Sequence, residues 1–487
     1  MKLSRRARVS AMAACGVAAI AAAAPAAHAA YPDPLYPSTH DQQCERSASL
    51  IQGLGSSLQR TAQLNWGAEI VAPDPAAALA KGFGYDAGGC ATYKLPADGG
   101  TKKITYAPSG SGAARTAFGA IDAPGGARNT TIDFGGTDDA PTDTQLTNAN
   151  EGPSIVAGPD ADDGVLETIP VAQAAISVVI RIPDGCQIAS STARQLSRTK
   201  VEGFFRGLAA FDQWYELFGT SNVKASAGSG LTDAQCQAKK PARVVRFDNS
   251  GSTFLFKGYL QQAAAGAFDW REPNQGGTLA NNAWPSTTVT AGVNGAGALL
   301  DRLTAQDVNG GIGYADLASA RGRNYGWDYN SGVLAPDDRT LWVRVQRISD
   351  SSYISPAKTD NQLGAKGARC TGVTYTNQPS DTTGSWYNTT AVLTAVDYPI
   401  CGLTYVLAWQ SPSAVGINSL GRAVGRRDYI GYQLDRPGLG TTPPASQCDP
   451  SDPRYGKGQC KLPANDYARL PGDILTKSQA GAETLAP

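Results

Sequence analysis

Two features of the sequence predict an α/β fold in two lobes. Strand-like runs alternate with helix-like runs along most of the chain, and about 457 mature residues exceed what one simple core holds. Alternation of this kind favours mainly parallel sheets covered by helices. Gly and Pro together supply 85 of the 487 residues, so many turns and long surface loops are expected.

In chain order, SLIQGLGSSLQRTAQLNWGAEIV reads as a Gly/Ser turn running into a helix that carries Leu58, Ala62 and Trp66. KKITYAPSGSGAARTAFGAI reads as strand, Gly/Ser turn, helix, and TIDFGGTDDAP as a short apolar strand ending at Asp138 and Asp139. A long β-branched strand is expected from Ile169 to Pro183, because IPVAQAAISVVIRIP is rich in Val and Ile. TARQLSRTKVEGFFRGLAAFDQWYELFG reads as helical through most of its length. Then come the strand ARVVRF, the segments GGIGYADLASAR and LWVRVQRI, and a late apolar strand in VDYPICGLTYVLAW. Segments 271–297 and 348–390, rich in Gly, Asn, Ser, Thr and Asp, read as surface insertions, and Pro-rich 437–464 reads as an excursion with its own cysteine pair.

Residues 1–30 join a basic start to an Ala-rich apolar run and a small-residue exit, the pattern of a secretory signal peptide cleaved near Ala29 or Ala30. No later stretch approaches the roughly 20 apolar residues that span a bilayer, so the mature protein is expected in the periplasm or outside the cell, without a transmembrane segment. Signal removal takes Cys15 and leaves Cys44, Cys90, Cys186, Cys236, Cys370, Cys401, Cys448 and Cys460, an even set that favours disulfides in an exported chain. Their pairing is open; neighbours in order (44 with 90, 186 with 236, 370 with 401, 448 with 460) would each close a local loop.

Loss of Lys2, Arg5, Arg6 and Arg8 turns 42 basic residues into 38 against 42 acidic ones, a net charge of −4. A broad basic face for nucleic acid is not expected. His28 leaves with the signal and His40 is the one mature histidine, which argues against a Ser-His-Asp hydrolase, a His-nucleophile phosphatase and a zinc site. No metal or cofactor is expected, and the chain reads as a non-enzyme.

One pattern recurs: GLGSSLQ (53–59), SGSGAAR (109–115) and DNSGSTF (248–254) each place Ser and Gly at a helix start. Backbone N–H groups there have no partner inside the helix and carry partial positive charge, so several such turns can converge on one oxyanion. The third turn sits in RFDNSGSTFLFKGYL, where Phe254, Phe256 and Leu260 mark the buried side of a helix and Arg246 adds a forked, fully charged donor.

The blocks GLGSSLQ, YAPSGSGA, DFGGTDDAP, IPVAQAAISVVIRIP, VEGFFRG with Trp214, VVRFDNSGSTFLFKGYL, GGIGYADLA, YPICGLTYV and YARLPGDIL, in this order, resemble the phosphate-binding proteins that deliver phosphate to ABC transporters, within the type II periplasmic binding-protein class. The resemblance spans about residues 50 to 476, broken by the insertions. It implies a cleft between lobes joined by crossover strands: lobe one from 31–168 plus 390–480, with the 437–464 excursion inside it and a tail at 481–487, and lobe two from 169–389. It implies inorganic phosphate as ligand, permease subunits as partners and a monomeric protein.

Carried over by position, the phosphate-binding set would be Ser57 and the backbone at Leu58, Ser111, Asp138, Arg246, Ser250, Gly251 and Ser252, with Asp248 holding the guanidinium flat. Ser57 and Leu58 stand where the family has Thr and Phe, and Ser252 where it has Thr; the hydroxyls survive. Trp66 and Trp214 read as packing residues. A secreted adhesion or matrix protein with a degenerate cleft is the alternative, and a phosphoester hydrolase a more distant one.

Overall fold

The computed structural model of the chain describes residues 51–70, 104–154, 163–190, 193–272, 276–285, 291–326, 339–358, 366–370, 372–392, 397–417, 420–434 and 458–486. The signal peptide, Cys44, Cys90, Cys448 and residues 437–457 of the excursion lie outside the described residues.

The main sheet is built from β1 (Ile51–Gly55), β2 (Ile104–Ala107), β3 (Phe134–Thr137), β4 (Leu166–Arg181), β5 (Ala242–Arg246), β6 (Ala291–Val293), β7 (Gly311–Asp316), β8 (Thr340–Trp342) and β9 (Cys401–Trp409), together with the short strand Tyr467–Ala468 beside β4. They run in the order β2-β1-β3-β9-β4-β7-β5-β6, with β8 also paired to β4. All 16 residues of β4 are buried, and its many Val, Ile and Ala side chains suit a strand covered on both faces.

That strand passes between the lobes. Its first part, Leu166 to Ala175, pairs with β9, and its second, from Ile176, pairs with β7; the partner changes between adjacent residues. On one side lies the sheet of β1, β2, β3 and β9, and on the other the sheet of β5, β6 and β7. The two-lobed α/β expectation holds, with a crossover strand shared by both lobes.

The sheet is mixed rather than mainly parallel. β1 pairs parallel with β2 and β3, and β5 with β6 and β7, but β9 and β7 both run antiparallel to β4. β9 returns from far along the chain, and its direction has no local signature in VDYPICGLTYVLAW.

A bulge interrupts the β4–β9 ladder. Thr404 faces Ala172 and Tyr405 faces Pro170, so the register skips Val171. Proline has no N–H to give a ladder and is confined to such irregularities, which re-aim the neighbouring side chains.

The helices that matter below are α1 (Arg60–Ile70), α2 (Ser111–Ala117), α3 (Arg198–Arg206), α4 (Gly251–Ala263), α5 (Leu317–Gly322) and α6 (Gly472–Thr484). Ala62 and Trp66 of α1 are buried, as their spacing predicts, while Leu58 is buried just ahead of it. The long helix expected after Thr192 is broken: α3 stops at Gly207, whose φ of 85° is left-handed, and a separate turn of helix starts at Trp214. α4 buries Phe256 and Leu260 fully, and Phe254 is half-buried. Disulfides join Cys186 to Cys236 and Cys370 to Cys401, as neighbours in order. The expected partners Cys44 with Cys90, and Cys448 with Cys460, involve positions outside the described residues.

The described parts of the two insertions are largely at the surface, as expected, but each is anchored inward by a few residues. Asn281 and Trp284 of the first region are buried. In the second, Thr382 accepts the Thr168 N–H through its carbonyl at 2.7 Å, Ser385 donates to the Pro141 carbonyl at 3.1 Å, and Lys477 of α6 donates to the Pro379 carbonyl at 2.8 Å. Their Gly, Asn and Ser content reads as loop, and the described parts are mostly loop, apart from β6 in the first and the short strands Tyr353–Ile354, Tyr375–Thr376 and Thr390–Ala391 in the second; a few Trp and Tyr side chains turn inward.

Candidate functional site

The connections leaving the C-terminal ends of β1, β2, β3 and β5 meet in one crevice, the place where open α/β sheets bind ligands. They carry Ser56 to Leu58, Ser111, Asp138, and Arg246 through Ser252 respectively.

Asp138, buried, anchors the lobe-one wall. Ser56 donates to its Oδ2 at 2.5 Å, Ser111 to the same oxygen at 3.3 Å, and Thr404 to Oδ1 at 2.6 Å. Thr404 is the residue beside the bulge, and Gln59 donates to its hydroxyl at 2.5 Å, which leaves the Thr404 proton for the carboxylate. Burial raises the Asp138 carboxyl above its usual range, while these hydroxyls and the Arg246 charge pull the other way. Behind it, Asp139 pairs with Arg115 of α2 at 2.9 Å, both buried.

Arg246, 1% exposed, anchors the lobe-two wall. Asp248 takes its Nε at 2.9 Å and its Nη2 in a bidentate pair, and Nη1 donates to Ser57 Oγ at 3.1 Å. One N–H remains on each terminal nitrogen. The Arg246 charge holds the Asp248 carboxyl down against its burial. The Arg246 carbonyl accepts Trp284 Nε1 at 3.0 Å, and the Arg246 N–H donates to the Tyr314 hydroxyl at 3.2 Å.

Ser250 caps α4, its Oγ accepting the Thr253 N–H at 3.3 Å, so Gly251 and Ser252 occupy the first turn, whose N–H groups have no acceptor in the helix. Asn281 donates to the Ser250 carbonyl at 2.8 Å, and Thr253 shares a 2.6 Å hydrogen bond with Tyr314. Ser252 Oγ is buried and has no hydrogen-bond partner. A buried hydroxyl without a partner costs about 1–3 kcal/mol, so a ligand oxygen within reach of this one would recover that cost.

The two walls touch. A Cβ on Gly251 would stand 2.3 Å from the Asp138 Cβ, so only glycine allows this approach, and the Gly112 N–H donates to the Asn249 carbonyl at 3.2 Å. Ser57, Ser111, Asp138, Arg246, Ser250, Gly251 and Ser252 thus come together in one crevice, with Asp248 behind Arg246. Leu58 differs from the rest: its N–H is taken by Ser56 Oγ at 3.1 Å and its side chain lies in the core.

Sequence reasoning passes over Ser56, Thr404, Tyr314, Asn281 and Trp284. Ser56 and Ser57 look alike in GLGSSLQ, and only the path of the turn assigns one to Asp138 and the other to Arg246. Proline inside IPVAQ was a usable signal for the bulge that directs Thr404.

Asp316 lies at the end of β7, opposite Ile176 at the lobe crossing, and caps α5 by accepting the Ser319 N–H at 2.7 Å. Its Oδ2 is buried without a partner, and burial pushes its carboxyl from the usual 3.8 to about 6, with the Asp138 charge adding to the rise. The folded state therefore holds this proton more tightly than the unfolded one, and stability falls as pH rises from about 4 to about 6, by about 3 kcal/mol. Asp316→Asn keeps a good cap and is expected to flatten that slope and to raise stability at pH 7. Urea unfolding at pH 4 and pH 7, without added ligand, checks this; an unchanged slope would contradict it.

Among the described residues no group of His, Cys, Asp and Glu could hold a metal ion, and no helix is long and apolar enough to cross a membrane. No protein-family model matches the chain, and no curated protein matches it. Among solved structures, it is similar to a high-affinity periplasmic phosphate-binding protein, PfluDING, bound with phosphate at pH 8.5: 16% identity over 88% of this chain and 93% of that one, TM-score 0.48. A phosphate-binding protein from Stenotrophomonas maltophilia is 18% identical over 89% of this chain and 93% of that one, TM-score 0.48. A possible phosphate-binding protein from Planctomyces limnophilus is 12% identical over 89% and 97% respectively, TM-score 0.36.

Proposed function

We propose that the chain is an extracytoplasmic solute-binding protein that captures inorganic phosphate between its lobes and presents it to the permease of an ABC transporter. The observation that carries this reading is the pairing of walls: Arg246, the first turn of α4 and the unpartnered Ser252 hydroxyl belong to one wall and Asp138 to the other, and the walls meet where Gly251 packs against Asp138. Donors for a tetrahedral oxyanion stand on one side, and a single acceptor for its proton on the other.

A carboxylate offers about four lone-pair positions, and Asp138 receives three hydroxyls, leaving one on Oδ1. HPO₄²⁻ and H₂PO₄⁻ keep a proton to give it; sulfate has none and would meet unpaired negative charge. The reading is of binding without turnover, since the described residues of the crevice combine hydroxyls, amides, a guanidinium and a carboxylate and include no histidine. The two disulfides and the signal sequence support a place outside the cytoplasm. The permease as receiver rests on the family resemblance.

Calorimetric titration of the mature protein with phosphate, then with sulfate, tests this. Phosphate is expected to bind at micromolar concentration or tighter and, at about 100 times Kd, to add about 2.7 kcal/mol to unfolding stability. Sulfate should do neither. Equal response to both anions, or none to either, would remove the reading.

A further inference from the structure

The three hydroxyls that meet Asp138 are each held by an N–H group. Ser56 Oγ accepts the Leu58 N–H at 3.1 Å, Ser111 Oγ accepts the Asp138 N–H at 3.2 Å, and Thr404 Oγ accepts from the Gln59 side-chain amide at 2.5 Å. Two of these donors are backbone groups; Gln59 is the one side chain among them.

The direction of the Gln59 amide follows from its neighbours. Its Nε2 also meets the Tyr405 carbonyl at 2.7 Å, an atom that only accepts, so nitrogen and not oxygen stands on that side. Its Oε1 accepts from Gln63 Nε2 at 2.8 Å. Gln63 Oε1 accepts in turn from the Tyr429 hydroxyl at 2.6 Å and from Gln433 Nε2 at 3.2 Å, both on the helix Leu420–Gln433. Gln59, Gln63, Thr404, Tyr429 and Gln433 are each at most 1% exposed. Donation therefore runs one way, from that helix through two amides to Thr404, and bonds in such a chain strengthen one another. With a donor on its oxygen, the Thr404 hydroxyl has Asp138 Oδ1 at 2.6 Å and the Thr137 carbonyl at 3.3 Å in reach, and the nearer takes its proton.

The other charged and titratable groups around Asp138 do not supply this proton. Arg246 favours its charge, whereas Asp139 and Asp316 oppose it. Burial holds the Tyr106, Tyr405 and Tyr467 phenols neutral, and Lys257, Arg271 and Glu272 line the cavity that Asp138 borders.

We infer that Gln59 is a positioning residue that sets the anion selectivity of the crevice, by locking the Thr404 proton onto Asp138 and so keeping that carboxylate ionised and accepting. The selectivity rests on the proposed phosphate function; the lock on Asp138 does not.

Gln59→Met fills a similar volume without a donor. Gln59→Glu keeps the shape, but its neutral carboxyl has one hydrogen for Thr404 and the Tyr405 carbonyl together, and its ionised carboxylate has none. Either change frees the Thr404 proton from Asp138 and raises the proton affinity of that carboxyl. The Asp138 carboxyl carbon, assigned by its absence in Asp138→Asn, is followed by NMR against pH in the ligand-free mature protein. In both variants its midpoint is expected to rise by about one pH unit, the scale of one hydrogen bond to a charged group. A protonated carboxyl can donate to sulfate, so calorimetric titration should find sulfate binding the variants up to a pH about one unit higher than wild type. Thr404→Val should also raise the midpoint, and adding Gln59→Met to it should raise it no further; a merely structural Gln59 would add a shift of its own. An unchanged midpoint in the folded Gln59 variants overturns the inference, and so does a risen midpoint with unchanged sulfate rejection. A risen midpoint in a protein whose wild type binds no phosphate refutes the phosphate reading and leaves the lock on Asp138 standing.

Discussion

Arg246→Ala is expected to weaken phosphate binding by a factor of about 10² to 10⁴. The guanidinium has one N–H free on each terminal nitrogen after Asp248 and Ser57 are served, and a hydrogen bond to a charged group contributes about 1.5–3 kcal/mol. Truncation also turns Asp248 from partner to opponent, because its carboxylate then sits unpaired near an anion. Removing one member of a buried ion pair can cost about 3–5 kcal/mol of stability, so unfolding is measured alongside. Arg246→Gln combined with Asp248→Asn removes both charges; it should fold with less loss and still fail to bind. Arg246→Lys should recover part of the affinity, since the charge returns without the fork. Near-normal phosphate affinity in folded Arg246→Ala would contradict the assignment.

Asp138→Asn is expected to change selectivity more than affinity. With its oxygen in the Oδ2 place the amide can still accept from the Ser56 and Ser111 hydroxyls, its NH₂ in the Oδ1 place can donate to an oxygen that carries no proton, and the Thr404 hydroxyl can turn to the Thr137 carbonyl at 3.3 Å. Sulfate binding should appear, and the phosphate-to-sulfate ratio should fall by about a hundredfold or more, the scale set by removing an unpaired charge from a closed cleft. The same logic gives a pH dependence in the wild type. Because burial raises the Asp138 carboxyl, protonation begins above the usual aspartate range, and a protonated carboxyl can donate to sulfate. Sulfate exclusion should therefore weaken as pH falls through that raised value, and Asp138→Asn should lack the transition. A variant that still rejects sulfate would show that another group does the discriminating.

What could be read in the sequence was whatever is carried locally. The Val and Ile content of β4, the Ser-Gly turns ahead of α2 and α4, and the acid at the end of β3 each declare themselves within a few residues. Direction and depth do not. The antiparallel return of β9 depends on a partner far away in the chain, so a sheet expected to be mainly parallel is mixed at its centre. Trp284 and Asn281 sit in a Gly- and Asn-rich stretch whose composition says loop, yet they hold the backbone of Arg246 and Ser250. Thr404 reaches Asp138 because proline in one strand displaces the register of another, a relation between two segments that neither shows alone.

The most direct test is a crystal structure of the mature protein grown with phosphate. A tetrahedral ligand should lie between the lobes within hydrogen-bond distance of Arg246, the Ser252 hydroxyl, the first-turn N–H groups of α4 and one oxygen of Asp138. Phosphate bound elsewhere, with Arg246 and Asp138 making no contact to it, would contradict the account.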